Sequence, residues 1–101
     1  MSEDCLLVLT VTPELEEAMV DWLLSRECPT GFSSVHINGH STDQAHLTVA
    51  EQVRGSRRQV QFQIQVPRET ARTCLQHLRR DFAGAGMHYW LLPLLEGGHL
   101  G

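Results

Sequence analysis

The sequence predicts an α+β domain whose elements follow the order β-α-β-β-α-β. Four segments run apolar or alternate in polarity over strand-like lengths, and two segments repeat apolar residues every three or four positions. At 101 residues, the chain has the length of one domain with one core. The four predicted strands cover residues 5–11, 32–40, 58–66 and 87–95.

The first helix is predicted directly after the first strand. Residues 5–11 are almost continuously apolar, as in a central strand, and Thr12 and Pro13 then provide an N-cap and a first helical residue. An apolar stripe recurs at helical spacing until the helix ends near Arg26. The stripe consists of Leu15, Ala18, Met19, Trp22 and Leu23.

The second strand is expected to separate its side chains by polarity, because successive side chains point to opposite faces. Val35 and Ile37 would lie on one face. The other face would carry Ser34, His36, Asn38 and His40. Residues 41–56 show no clean period, and we interpret them as a long loop or hairpin arm, of a length that is often functional.

The third strand has the clearest alternation in the chain, with apolar residues and glutamines in turn. The apolar residues are Val60, Phe62, Ile64 and Val66, and the glutamines are Gln59, Gln61, Gln63 and Gln65. Pro67 opens a second helix, which Gly84 and Gly86 close before the fourth strand. Residues 96–101 are expected to form a loose tail.

Right-handed crossovers would place both helices on one face of a four-stranded antiparallel sheet. This is the ferredoxin-like split βαβ fold, whose usual strand order is 4-1-3-2. The opposite face would carry the glutamines and the polar side chains of the second strand, so it requires water or a partner subunit. Tyr89 and Trp90 alternate on the last strand, where we expect core or subunit-interface packing.

The composition and charge of the chain argue against several classes of function. The net charge of −4 argues against a nucleic-acid binder, and no apolar run is long enough for insertion into a membrane. The first residues are acidic, unlike a signal peptide, so we expect a cytoplasmic protein. No residue spacing marks a catalytic centre, so we expect binding and not enzymatic activity. Cys5, Cys28 and Cys74 are expected to be reduced and mostly buried.

Histidines supply one candidate site. His40 lies at the mouth of the predicted loop, His46 lies within it, and His88 starts the last strand. Imidazole binds Zn, Cu and Ni, and a folded-back loop would bring histidines together around a divalent metal ion. Alternatively, these are exposed or hydrogen-bonded polar residues, and the sequence leaves both interpretations open.

A second candidate is an anion-binding site built from the ends of the loop and the glycine turn. Glycines let the backbone approach an anion, and arginines pair with phosphate. The alternative is a solvated basic turn and an ordinary helix C-cap. The candidate residues are Gly39, His40, Ser41, Arg54, Arg57, Arg58, Gly84 and Gly86.

Several stretches resemble the PII signalling superfamily. The closing residues 84–94 combine a glycine turn, a β-rich run and Leu-Pro, and are similar to the final strand of PII proteins. Five shorter motifs are more similar to a poorly characterised bacterial PII-like family, often encoded beside heavy-metal efflux pumps. These motifs are residues 13–17, 21–24, 39–40, 50–55 and 89–90.

This resemblance implies a homotrimer that binds an adenine nucleotide, AMP or ADP, or another small anion in clefts between subunits. The long loop would dock on a transporter or another partner. Gly39, His40 and Ser41 would lie at the base of the loop, residues 54–58 on its returning arm, and residues 83–86 in the nucleotide-contacting turn. The alternative function is a divalent-metal-binding accessory protein linked to heavy-metal efflux or tolerance.

Overall fold

The computed structural model describes residues 3–26, 31–40, 48–54 and 56–101, without the side chains of 52–54. Its four strands form one antiparallel sheet in the order β2-β3-β1-β4. The strands are β1 (Asp4–Val11), β2 (Phe32–Gly39), β3 (Arg57–Pro67) and β4 (His88–Pro93). The helices are α1 (Glu16–Leu24), which follows a 3-10 turn at Pro13–Leu15, α2 (Val49–Arg54) and α3 (Arg68–Asp81).

The predicted ferredoxin-like α+β fold is confirmed, including the strand order. The core lies between α1 and α3 on one side and the sheet on the other, because both helices direct their apolar stripes at the same face. Phe62 at the centre of β3 is fully buried and packs against Phe32, with ring centroids 6.1 Å apart. Cys5 and Cys74 are buried, as predicted, and form no disulfide with the described residues, whereas Cys28 lies outside them.

The register of β2 reverses the face predicted for its polar side chains. His36 lies opposite Val60 and Asn38 lies opposite Arg58, on the face that the helices occupy. His36 accordingly contacts the α1 side chain of Glu16, with Nε2 and Oε2 3.1 Å apart. Ser34, by the same register, is on the helix side as well. The prediction was wrong because alternation separates two faces without saying which one the helices cover.

Val35 and Ile37 therefore lie on the open face of the sheet, beside the glutamines of β3. The open face is the side of the sheet that carries no helix. Trp90 and Leu92 lie on this face, because they pair in register with Val8 and Leu6 of β1. The open face is consequently less polar than the sequence predicted.

A short helix, α2, occupies part of the segment predicted as a loop over 41–56. The Thr48 amide donates to Oε1 of Glu51 at 2.9 Å, and the Glu51 amide donates to Oγ1 of Thr48 at 3.2 Å. This reciprocal pair is a capping box, which satisfies two amides at the start of a helix. Residues 41–47 and 55 of the predicted loop lie outside the described residues.

Four element ends meet at one end of the sheet, which we call the loop end. β1 and β2 finish there, while β3 and β4 begin there, as the register pairs Gly39 with Arg57 and Thr10 with His88. In the part of the chain that the structure describes, no helix combines the length and apolar character needed to cross a membrane.

Candidate ligand site

A cavity of about 430 Å³ opens at the loop end between α3 and β4. It gathers Gly84, Gly86 and His88, three of the residues that the sequence predicted for ligand or metal binding. We call it the α3–β4 cavity. Most of its wall is apolar, because the C-terminal half of α3 and the end of β1 turn core side chains toward it. The apolar lining residues are Leu9, Leu75, Leu78, Phe82, Ala83 and Met87.

The polar side chains in the wall of this cavity include Arg79 and Tyr89, beside His88. Nη2 of Arg79 donates a hydrogen bond of 3.2 Å to the phenol oxygen of Tyr89. The guanidinium carbon lies 5.8 Å from the centroid of the tyrosine ring. The phenol thus holds the guanidinium against the cavity without neutralising its charge.

The turn after α3 depends on two glycines with positive φ angles, 78° at Gly84 and 72° at Gly86. The Phe82 amide caps α3 by donating to the Leu78 carbonyl at 2.9 Å, and the Ala85 amide donates to the Phe82 carbonyl at 3.1 Å. Only glycine adopts positive φ at little cost, so these positions fix how the chain turns from α3 into β4. The predicted role of both glycines in closing the helix is confirmed.

The residues predicted at the two ends of the loop form a second group, on the side of the sheet where β2 and β3 lie. Arg57 and Arg58 line a cavity of about 450 Å³ together with Thr48 and Glu51. Nε of Arg57 lies 3.9 Å from a carboxylate oxygen of Glu51, so an acidic neighbour already partners this arginine. Arg58 is exposed and also lines a neighbouring cavity with His36.

The two groups of predicted residues do not meet within one chain. Gly39 is on edge strand β2 and His88 is on edge strand β4, with β3 and β1 between them. His40 directly follows β2 and lies at the opposite edge from His88. Among the described residues, no group of three or more potential ligands could hold a metal ion.

Three predicted positions cannot be placed in either group. Ser41 and His46 lie outside the described residues, as does the side chain of Arg54. The metal site that would use His46 therefore stays a prediction.

Sequence reasoning missed Arg79 as a site residue, because a cation in the last turn of a helix also fits the helix dipole. It also favoured core or interface packing over ligand stacking for Tyr89. A sequence signal for this pair does exist. It consists of an arginine one turn before a glycine turn and an aromatic residue early in the strand that follows. The cap at Thr48 was visible as Thr-x-x-Glu before an apolar residue.

A family model described as "Protein of unknown function (DUF3240)" matches residues 1–101. The chain belongs to the DUF3240 family. A crystal structure of a DUF3240 family protein from Shewanella baltica OS155, at 2.40 Å resolution, is similar over 100% of both chains, with a TM-score of 0.81 and 28% identity. No curated protein sequence matches this DUF3240 chain.

Proposed function

We propose that this DUF3240 protein is a PII-like regulatory protein that acts as a cytoplasmic, non-catalytic homotrimer. Clefts between its subunits would sense an adenine nucleotide or another small anion. The segment between β2 and β3 would then modulate a transporter or another partner protein.

The observation that carries this proposal is the position of the two predicted groups at one end of the sheet but on opposite edges. A cyclic assembly joins unlike surfaces of neighbouring copies, because a heterologous interface that closes forms a ring. Edge β2 of one subunit would then meet edge β4 of the next. Arg58 would approach the α3–β4 cavity of the neighbour, and each cleft would contain both groups.

The open face supports the same assembly. On β4, the side chain of Trp90 is 61% exposed and that of Leu92 is 44% exposed. Val8, on the same face of the neighbouring strand β1, is only 4% exposed. Val35 adds a third exposed apolar side chain to this face on β2. Neighbouring exposed apolar side chains such as Trp90 and Leu92 are typical of protein–protein contact sites.

A second candidate function, metal binding, draws on the same geometry. His40 and His88 lie at the loop end on opposite edges, so a ring would bring His40 of one subunit toward His88 of the next. Neutral imidazoles would bind Zn, Cu or Ni there. This would make the chain an accessory protein for heavy-metal efflux or tolerance.

Light scattering at micromolar concentration, followed by thermal-shift titration, tests both functions. We expect a mass of three chains, and an increase in the melting temperature with AMP or ADP that grows with ligand concentration. An increase with Zn²⁺, Cu²⁺ or Ni²⁺, lost in His40→Ala but kept in His77→Ala, would favour the metal function instead. A monomer at these concentrations would contradict the assembly on which both depend.

A further inference from the structure

We infer that the α3–β4 cavity binds a small organic anion that carries a ring-sized apolar body. The apolar wall would hold the body, while Arg79 and the amides of the glycine turn would hold the carboxylate or phosphate. This inference rests on the proposed function, because it specifies the class of ligand sensed at the cleft. It also adds Arg79, which sequence reasoning did not assign, as the residue that selects for charge.

The wall of the cavity provides the apolar half of the argument. Leu75 and Leu78 from α3 and Leu9 from β1 are buried core residues that also border the opening. A volume of about 430 Å³ lies within the usual range of small-molecule sites. Apolar surface removed from water stabilises a complex in proportion to its area, so an ion without an apolar body would gain nothing from this wall.

The charge of Arg79 provides the polar half. Within the described ranges, no carboxylate lies at ion-pair distance from Arg79. Arg26, Arg57 and Arg80 have acidic partners, and among the arginines without one in the described residues only Arg79 lines this cavity. Tyr89 accepts one N–H of Arg79, and the other guanidinium donors stay available for the two oxygens of an anion.

The turn adds backbone donors at the same rim. The backbone amides of Ala83, Gly84 and Gly86 donate to no backbone carbonyl of the residues that the structure describes. Successive free amides around left-handed glycines form concave sites that favour anions. These amides and the Arg79 guanidinium all favour an anion at this rim of the cavity.

Tyr89 allows a direct test, because it is the only tyrosine of the chain. Incorporation of 3-fluorotyrosine therefore gives a single ¹⁹F resonance that reports on the cavity. We would titrate the full chain with benzoate and with phenyl phosphate. Benzyl alcohol supplies the ring without the charge, and acetate and inorganic phosphate supply the charge without the ring.

We expect a saturable shift of the resonance with benzoate, with phenyl phosphate or with both, and their relative affinities identify the preferred anion. Benzyl alcohol, acetate and inorganic phosphate should each bind at least about tenfold more weakly. Arg79→Gln should weaken binding of the better probe by about ten- to hundredfold, since a charge-assisted hydrogen bond is lost. Arg79→Lys keeps the charge but lacks the planar guanidinium, so its affinity should lie between those of the parent chain and Arg79→Gln.

Arg72→Gln is the matched control, because Arg72 is exposed on α3 two turns earlier and does not line the cavity. The Arg72→Gln variant should bind the ring-bearing anions with the affinity of the parent chain. Absence of any shift with both ring-bearing anions, equal binding of benzyl alcohol, or equal weakening by Arg72→Gln would overturn the inference. Light scattering tests the proposed assembly separately. A trimer whose ¹⁹F resonance does not shift would overturn the ligand class alone. A monomer whose resonance does shift would support the ligand class and contradict the trimer.

Discussion

Trp22 and Asp81 join the two long helices, as the indole Nε1 donates a hydrogen bond of 2.8 Å to Oδ2 of the carboxylate. Arg26 donates to the same oxygen at 3.1 Å, and its guanidinium carbon lies 4.0 Å from the centroid of the Trp22 ring. Asp81 is the last residue of α3, directly before the turn that borders the α3–β4 cavity. The contact between the helices therefore also sets the position of one wall of the candidate site.

Replacing Asp81 with asparagine should lower the thermal stability at neutral pH. The pKa of Asp81 lies well below its ordinary value of 3.8, first because Arg80 donates a hydrogen bond to the carboxylate and then because Trp22 does so. A depressed pKa contributes stability above the unfolded-state pKa, and that contribution is lost as the pH falls below it. The difference in melting temperature between the parent and Asp81→Asn should be constant from about pH 7 to pH 5 and should shrink below about pH 4.

Melting curves at a series of pH values check this prediction. Asp21→Asn is the control, because Asp21 is exposed on α1 and forms no ion pair with the described residues. A difference between the parent and Asp81→Asn that persists unchanged at pH 3 would contradict the assigned role of the carboxylate.

Gly84→Ala should destabilise the chain by about 1 kcal/mol, because an L side chain is strained at positive φ. The φ angle of Gly84 is 78°, and a Cβ atom there would meet nothing within 4 Å, so the cost comes from the backbone alone. Gly31→Ala is the matched control, since it has the same open space without a positive φ. Urea unfolding of both variants measures the difference, and equal midpoints would show that the turn does not need its left-handed residue.

Phe62→Ala should cost about 3–5 kcal/mol of unfolding free energy, as expected for removal of a buried aromatic side chain from a core. Phe62 is fully buried between β3 and the helices and contacts Phe32. Gln76→Ala on the exposed side of α3 should change stability by less than about 0.5 kcal/mol. Chemical denaturation of both variants gives the comparison, and a similar loss in both would place the core elsewhere.

Trp90→Arg should shift the proposed trimer toward monomer while leaving the fold intact. The side chain is 61% exposed on the open face, so a charge there would be buried at high cost only if another subunit covers it. Leu24→Arg is the control, because Leu24 is 69% exposed but lies on α1, away from the open face. Sedimentation velocity measures the masses, and an unchanged mass for Trp90→Arg would argue against this face as the interface.

Thr48→Ala should weaken α2 without unfolding the domain. Removing an N-cap hydroxyl costs about 1 kcal/mol, so amide hydrogen exchange within α2 should accelerate about fivefold. Thr73→Ala, which removes an exposed hydroxyl from α3, should leave exchange in α2 unchanged. Exchange measured by mass spectrometry distinguishes the variants, and equal rates in α2 for the parent and Thr48→Ala would show that the cap is dispensable.

Local sequence patterns determined most of the fold of this protein. The alternation in residues 58–66, Pro13 and Pro67 before helices, and the glycines after α3 act over a few residues, so they identify the elements without knowledge of their neighbours. The observed strand order is the one that the ferredoxin-like motif implies for this succession of elements. Gly84, Gly86 and His88 were accordingly predicted as site residues, and they do border one cavity.

Only the tertiary structure decided which face of β2 turns toward the helices and which of two adjacent arginines, Arg79 or Arg80, pairs with a carboxylate. A shift of one residue in register exchanges the faces of a strand, and pairing with β3 alone places His36 opposite Val60. Arg79 and Arg80 are adjacent in sequence, yet one contacts Tyr89 and the other pairs with Asp81. Neighbouring residues on a helix point about 100° apart, so the elements packed around α3 determine what each one meets.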